Sequence, residues 1–391
     1  MTQSATAQTN NPRASEAGQE LSAQLLQGLS GEKPDVVILF VSPEYEYVPL
    51  LEALSDSCKP GIIIGCSSAG EFTESTVSSA SASAIALRST TLRFRAGIGR
   101  NLRSNREQAA KDVLSTFHQT DDSTYRHKYA LVLVDALAGY TEDFLEQLTV
   151  QTAGRYQFFG GGAGDDARFS QTHVFLGTEA ITDGAVALEM LSTMPFGIGV
   201  GHGWTPAGPL FRVTEAEANR LGSLNATPAA EVFAAHAVEV GEPFNPEAPI
   251  PFFLHHVIGI NTPQGYKLRV PLTVNADQSI SCAADVPAGS TVSIMSTTGN
   301  ATTAAAGSAV QTALAGLGAA APAAALFFDC AATRLRMGKD FGTEIDRVTQ
   351  LLGPVPVAGC NTYGQIARVE GQFSGFHNCT AVVCIIPREK G

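Results

Sequence analysis

No Cys-x-x-Cys pair occurs in this 391-residue chain, and that absence removes the zinc knuckle, the thioredoxin-like motif and the c-type haem attachment. The seven cysteines, Cys58, Cys66, Cys282, Cys330, Cys360, Cys379 and Cys384, are odd in number and sit in apolar segments, as buried free thiols in a reducing compartment do. Basic residues are also scarce. Lys and Arg total 25 against 37 Asp and Glu, for a net charge of −12, and no basic run appears. Phosphate binding needs clustered Lys and Arg, so neither nucleic acid nor an anionic lipid surface is an expected partner. The amino-terminal stretch, residues 1–20, has no apolar signal core and reads as a disordered leader of a cytoplasmic protein. Charge is missing altogether from Val286 to Phe328. That stretch is built of Ala, Gly, Ser and Thr and broken by Pro287 and Pro322, so membrane insertion is not expected; it reads as a buried small-residue helix beside strands. No Gly-Lys-Ser/Thr follows a glycine run, Gly160–Gly164 does not fit a dinucleotide fingerprint, and no EF-hand spacing occurs.

What is present is an ordinary globular composition, 44% hydrophobic and 16% charged, long enough for two domains with ample core. Two distant stretches say nearly the same thing. Ile62-Ile63-Ile64-Gly65-Cys66-Ser67-Ser68-Ala69-Gly70-Glu71 and Val357-Ala358-Gly359-Cys360-Asn361-Thr362-Tyr363-Gly364-Gln365 each run from an apolar segment into a Gly-Cys loop with small hydroxyl residues. An apolar β-branched run that stops at glycine reads as a buried strand delivered into a tight loop, a setting that suits a small polar ligand. The alternative is a pair of plain strand-to-helix turns. Recurrence in each half points to related halves facing a shared space.

Along the first half, strands at 35–42, 62–67, 82–87, 92–97 and 129–135 alternate with helices at 21–29, 45–54, 105–118 and 141–150. Residues 215–224 read as a linker. The second half offers a helix at 229–240, three strands at 268–274, 279–283 and 290–295 in an antiparallel meander, and a helix at 301–317. A strand at 323–329, a helix at 342–352 and a strand at 380–387 complete it. The fold class expected is mixed α/β, two halves each with a mixed sheet flanked by helices. In such folds ligands lie beyond the carboxyl ends of strands.

Three constellations carry chemistry. Asp165-Asp166, after the glycine run, offers carboxylates to a ligand ammonium or to a metal, although a hard cation wants more oxygens. Cys330, at a strand end between Asp329 and Arg334, is either a thiolate made reactive by arginine or a packed thiol beside an Asp–Arg pair. His236 and the adjacent His255-His256, set among phenylalanines, fit the axial ligand and apolar wall of a haem site, or are core and surface histidines.

The second loop, continued through Gly375-Phe376-His377-Asn378-Cys379-Thr380, resembles the closing signature of FIST domain proteins. The first resembles the Gly-Cys-Ser-x-Ala-Gly-Glu of the FIST N-terminal domain. Phe159–Asp166, Gly201–Gly208, Val213-Thr214 and Asp329–Arg334 match between them, in the family's order. The resemblance implies a FIST N-terminal domain at 30–220 and a FIST C-terminal domain at 225–387. It implies a non-enzymatic, cytoplasmic sensor of a small ligand that signals in trans to a partner such as a histidine kinase. The stand-alone branch of the family that senses nitric oxide through haem makes haem b the specific expectation, with His236, His255 and His256 as axial candidates. An amino acid or similar metabolite is the alternative ligand, and a thiol-dependent enzyme using Cys330 the alternative of another class. Candidate ligand-binding residues are Gly65, Cys66, Ser67, Ser68, Gly70, Glu71, Gly161, Gly162, Asp165, Cys330, Arg334, Tyr363, Gly364, Gln365 and Asn378; no residue is assigned as catalytic. Gln365 departs from the family's glutamate and drops a charge.

Overall fold

The computed structural model describes residues 1–118, 123–369 and 375–388. The chain makes the same unit three times. The first unit runs β1 (Thr2–Thr9), α1 (Ala14–Gly28), β2 (Val36–Val41), α2 (Tyr47–Cys58), β3 (Ile62–Ser67), the hairpin β4 (Glu71–Thr73) and β5 (Val77–Ser78), then β6 (Ala82–Ser89). The second runs β7 (Leu92–Arg100), α3 (Arg106–Leu114), β8 (His127–Val134), α4 (Thr141–Gln151), β9 (Gln157–Gly162), the hairpin β10 (Val174–Leu176) and β11 (Glu179–Ile181), then β12 (Gly184–Ser192).

The third unit opens with β13 (Gly197–Gly201) and is then interrupted by an insertion. The insertion holds β14 (Thr205–Pro206), β15 (Phe211–Glu217), β16 (Arg220–Leu224), β17 (Thr227–Pro228), α5 (Ala229–Val240) and α6 (Ile250–Phe253). It continues with β18 (Val257–Thr262), β19 (Gly265–Arg269), β20 (Pro271–Val274), β21 (Ile280–Cys282) and β22 (Thr291–Ser296). The third unit resumes with α7 (Gly299–Gly316), β23 (Ala321–Cys330), α8 (Ala331–Met337), α9 (Gly342–Leu352) and β24 (Val357–Thr362). The hairpin β25 (Gln365–Arg368) and β26 (Gly375–His377) and the strand β27 (Ala381–Arg388) close it.

Each unit builds a sheet of the same order, β1-β6-β2-β3, β7-β12-β8-β9 and β13-β27-β23-β24, and none keeps its own hairpin. The hairpin after β3 joins the third sheet at β24, the one after β24 joins the second at β9, and the one after β9 joins the first at β3. The exchange is cyclic and closed. The two halves are present; the first carries two units together with β13 and the opening strands of the insertion, and the second carries the rest of the insertion and of the third unit. The repetition seen in two loops therefore has a third copy, at Gly160–Asp165.

Side-chain period explains why the central strands read as unbroken apolar runs. Alternate residues of each strand, Val36, Ile38 and Phe40, Tyr129, Leu131 and Leu133, and Ala324, Leu326 and Phe328, point into one core shared by all three sheets. The intervening residues, such as Val37 and Leu39, Ala130 and Val132, or Ala325 and Phe327, pack under the unit's own helices. The charge-free stretch becomes β22, α7 and the start of β23. A Cβ at Gly197 or Gly199 of β13 would lie 1.7–1.8 Å from a carbonyl oxygen of α7, so only glycine at these two positions lets this helix seat. Among the described residues no helix is long and apolar enough to cross a membrane.

Three expectations are corrected. Residues 1–20 are not a disordered leader: β1 pairs along its length with β6, and α1 starts at Ala14. Ala5 and Ala7 are buried with Leu21 and Leu25, so alanine and threonine alternation served as a strand signal that low hydrophobicity hid. Residues 215–224 are not a linker but most of the β15–β16 hairpin of the insertion. The meander holds for β20 and β21, but β22 pairs with β18 and β15 instead.

Candidate functional site

The carboxyl ends of β3, β9 and β24 converge, because each must hand its hairpin to a neighbour there. Two backbone hydrogen bonds fix every crossing. Ala69 N donates to Asn361 O (2.9 Å) and Asn361 N to Gly70 O (2.8 Å). Tyr363 N donates to Gly162 O (2.9 Å) and Gly162 N to Gly364 O (2.8 Å). Gly164 N donates to Ser67 O (2.9 Å), whose own amide reaches His173 O (2.9 Å). Gly65, Cys66, Ser67, Ser68, Gly161 and Gly162 are thus brought together with Tyr363 and Gly364 as one interlocked loop cluster.

Gly70 and Gly364 turn the chain at φ +131° and +137°, a region that suits glycine alone. The space is closed as well. A Cβ on Gly70 would meet the Arg334 guanidinium at 1.9 Å, and one on Gly364 the Phe376 ring at 2.1 Å.

Glu71 and Gln365 do the same job in their loops: each reaches back three residues. Ser68 and Ser81 hydroxyls donate to the Glu71 carboxylate, the latter at 2.7 Å. Gln365 Nε2 donates to Thr362 Oγ1 (2.8 Å), and Gln365 Oε1 accepts from Thr380 N (3.2 Å). Both side chains are fully buried, and burial pushes the Glu71 carboxyl up to about 7. They fasten loops from within. Asp165 is similarly consumed: it accepts from the Tyr363 hydroxyl and from the amides of Phe169 (2.9 Å), Ser170 (2.7 Å) and Gln171 (2.9 Å). Burial works to raise its pKa, and those bonds outweigh it, holding the carboxyl below its ordinary value. Asn378 Oδ1 accepts from Val270 N (3.2 Å), tying the closing turn to the insertion.

Above this cluster lies a cleft of about 540 Å³, lined by Ala69, Ala80, Ala331 and Leu335 with Asp166 and Arg334, and rimmed by the ion pair of Arg168 with Glu44. Arg334 is oriented by Asn361 Oδ1 (3.1 Å), Ser78 O (2.8 Å) and Ser79 Oγ (2.9 Å). Asp166, at φ +54°, accepts from Ser42 Oγ (2.8 Å), and burial raises its pKa. Beside them Phe169 stacks on Tyr363 at 4.6 Å between centroids. A guanidinium and a carboxylate held in one partly apolar cleft can grip a ligand that carries both charges. A larger groove of about 810 Å³ opens near the amino ends of β2 and β3, around Asp35, Gly61 and Phe94, away from the loop cluster. Ligand position in α/β folds favours the carboxyl-end cleft.

Glu44, Arg168 and Phe169 escaped the sequence reading. The signal for the last two was the third loop copy: Gly160–Asp165 follows an apolar strand just as the other two loops do.

Cys330 is buried at the end of β23, at the position held by Ser42 and Asp135 in the other units. The groups acting on its thiol are Cys379, the amides of Cys379 and Ala332, and Gln365; the hydrogen bond from Cys379 does most to draw it down to about 6, against burial. Arg334 does not sit beside Asp329, because it turns to Asn361 and Ser78. It is Arg336 that feels Asp329 and Glu344, two buried carboxyls whose pKa values burial raises.

The histidines lie apart from the loop cluster, in the insertion. His236 Nε2 and His256 Nδ1 are 3.2 Å apart, His256 Nε2 meets Glu242 (3.0 Å), and Phe252 stacks on His256 at 4.1 Å. Both nitrogens of His256 and one of His236 are therefore committed to protein groups, and the ring face is covered. His255 is exposed. As arranged, this pair does not fit an iron porphyrin without α5 and α6 separating.

The chain matches the FIST N domain over residues 35–227 and the FIST C domain over residues 229–368. No curated protein sequence matches. Among solved structures, T. maritima PurL complexed with ATP aligns at 11% identity over 99% of this chain and 71% of that one, but its TM-score of 0.22 carries no argument. Two matched domains that together span most of the chain place it: this protein belongs to the FIST family, whose domains sense small ligands in signal transduction.

Proposed function

We propose that this chain is a non-enzymatic sensor that takes a zwitterionic small molecule, an amino acid or a close analogue, into the cleft between Arg334 and Asp166. The observation that carries this is the pairing of an oriented guanidinium with a carboxylate over an apolar floor of Ala69, Ala331 and Leu335. The ligand carboxylate pairs with Arg334 and its ammonium with Asp166, and the crossing loops beneath transmit occupancy. Output passes to a signalling partner such as a cytoplasmic histidine kinase, in keeping with the sensing role of the two matched domains.

Calorimetric titration with L-amino acids, one at a time, tests the reading. A binding amino acid should lose about ten- to a hundredfold in affinity in Arg334→Gln, the range for hydrogen bonds to a charged group. Binding indifferent to both Arg334 and Asp166 would overturn it. Haem-based nitric-oxide sensing has less support, since His236 and His256 are spent on each other. A Soret band on haem titration, shifted by nitric oxide and abolished by His255→Ala, would restore it.

A further inference from the structure

Helix α5 of the insertion has two unlike faces. One buries Ala229, Ala230, Val232, Phe233 and Ala237 in the insertion's own core. The other, Glu231, Ala235, Val238 and Glu239, recurs at helical spacing and is exposed. Val238 is 82% exposed, more than any other large hydrophobic side chain among the described residues, and Val240 and Ile250 follow it at the surface. The face is held rigid. Gly241 ends the helix at φ +72°, and Phe244 packs on the rings of Phe252 and Phe253 at 5.2 and 5.7 Å. Glu242 accepts from His256 (3.0 Å), which reaches back to His236 on α5 (3.2 Å). Charge here has one sign. From Leu221 to Tyr266 the chain has no Lys, Arg or Asp, but it has Glu231, Glu239, Glu242 and Glu247. The basic residues that flank this stretch are spent elsewhere, Arg220 on Glu215 and Asp277, and Lys267 on Glu142. Among the described residues, Glu231, Glu239 and Glu247 have no ion pair.

We propose that the exposed face of α5 docks a helix of the signalling partner, one whose apolar stripe is flanked by lysine or arginine. Val238 is the apolar anchor, and the small Ala235 beside it lets a second helix lie close. Glu231 and Glu239 stand about 12 Å apart along the axis, two turns, and select basic residues at the same spacing on the partner. The same carboxylates argue against other occupants. A second copy laid parallel would set Glu231 on Glu231, and one laid antiparallel would set Glu231 on Glu239; anionic lipid and nucleic acid are repelled outright. A rigid face also costs a partner little ordering entropy. Docking here is joined to the loop crossings, because Val270 N donates to Asn378 Oδ1 (3.2 Å) and Arg269 donates to Phe376 O (3.0 Å), both in the closing turn of the third unit. The partner's role rests on the reading above that output passes to another protein.

The probe is a synthetic amphipathic helix of leucine, alanine and lysine, about five turns long, titrated by calorimetry into the full chain with no amino acid present. Binding should weaken about tenfold in Glu231→Lys combined with Glu239→Lys, and several-fold in Val238→Ser. The same reversal at exposed positions of α2, Glu52→Lys combined with Asp56→Lys, should leave it unchanged, which separates docking from attraction to the net charge. In the wild-type chain the peptide should slow amide hydrogen exchange across residues 229–250, and a peptide with glutamate in place of lysine should not. Absence of binding, equal losses in the two double variants, or protection outside the insertion would each overturn the proposal. So would a dimer in sedimentation that Val238→Asp dissolves, since the face would then belong to a second copy. Exchange in the wild-type chain decides the matter even if a variant folds poorly. Because the titration contains no amino acid, failure of docking leaves the cleft between Arg334 and Asp166 to be judged by its own titration.

Discussion

Glu71→Gln is the substitution whose effect can be worked furthest. The carboxyl is fully buried between Ser68 and Ser81, and burial raises it from 4.5 to about 7. A raised acid is protonated in the fold and ionised in the unfolded chain across that window, so the folded state binds the extra proton. Stability is then fully present below the unfolded value of 4.5 and is lost as pH rises through 7. The span corresponds to about 3 kcal/mol from this group alone. Glutamine cannot ionise, keeps an acceptor for Ser68, and already fills the equivalent position at Gln365. At pH 8 the variant should therefore be the more stable protein, by up to roughly 4 °C in Tm for a chain of this length, and near pH 4.5 the advantage should disappear. Thermal melts of both proteins from pH 4.5 to 8 provide the check. Parallel pH profiles, or a variant less stable at pH 8, would mean that Glu71 is ionised in the fold and held by the Arg334 charge, refuting the reasoning.

Gly70→Val and Gly364→Val should each cost more than 2 kcal/mol, because a β-branched side chain is strained at positive φ and meets Arg334 or Phe376; urea unfolding reads this. Deleting residues 1–12 should lower Tm by several degrees and promote aggregation, seen by light scattering, because β6 becomes a bare edge and the Ser4 bond to Ala323 O (2.6 Å) is lost. Asp166→Asn should weaken an amino acid but leave its des-amino carboxylic acid analogue bound as before, a difference calorimetry resolves.

Strands and helices of the three units were legible where both faces are buried, since Val36–Val41 or Ala321–Cys330 has no other way to read. The two loops and their glycines were legible for the same reason: Gly70 and Gly364 answer a local demand of backbone geometry. Partnership was not. Nothing in Glu71–Thr73 says that it pairs with β24 and not with its own β3, because strand exchange leaves the hydrophobic period unchanged. The third copy was masked by the one-residue shorter loop at Gly160–Asp165 and by the insertion that stretches the third unit. Charge placement was half legible: Arg334 and Asp166 stood out as charged residues after strands, but which of Arg334 and Arg336 faces Asp329 depends on the helical turn between them.

Because every hairpin is lodged in the next sheet, the two matched domains are not separable pieces. A fragment ending before β13 would carry β4 and β5 with no strand to receive them, and its second sheet would end at a bare β9. Such a fragment should assemble only when the remainder of the chain is supplied beside it. A closed ring also has no loose end at which a displacement can be absorbed: a loop shifted at one crossing draws on the backbone bonds of the other two. Either matched domain made alone, without the other supplied, should therefore lose both its fold and its ligand binding.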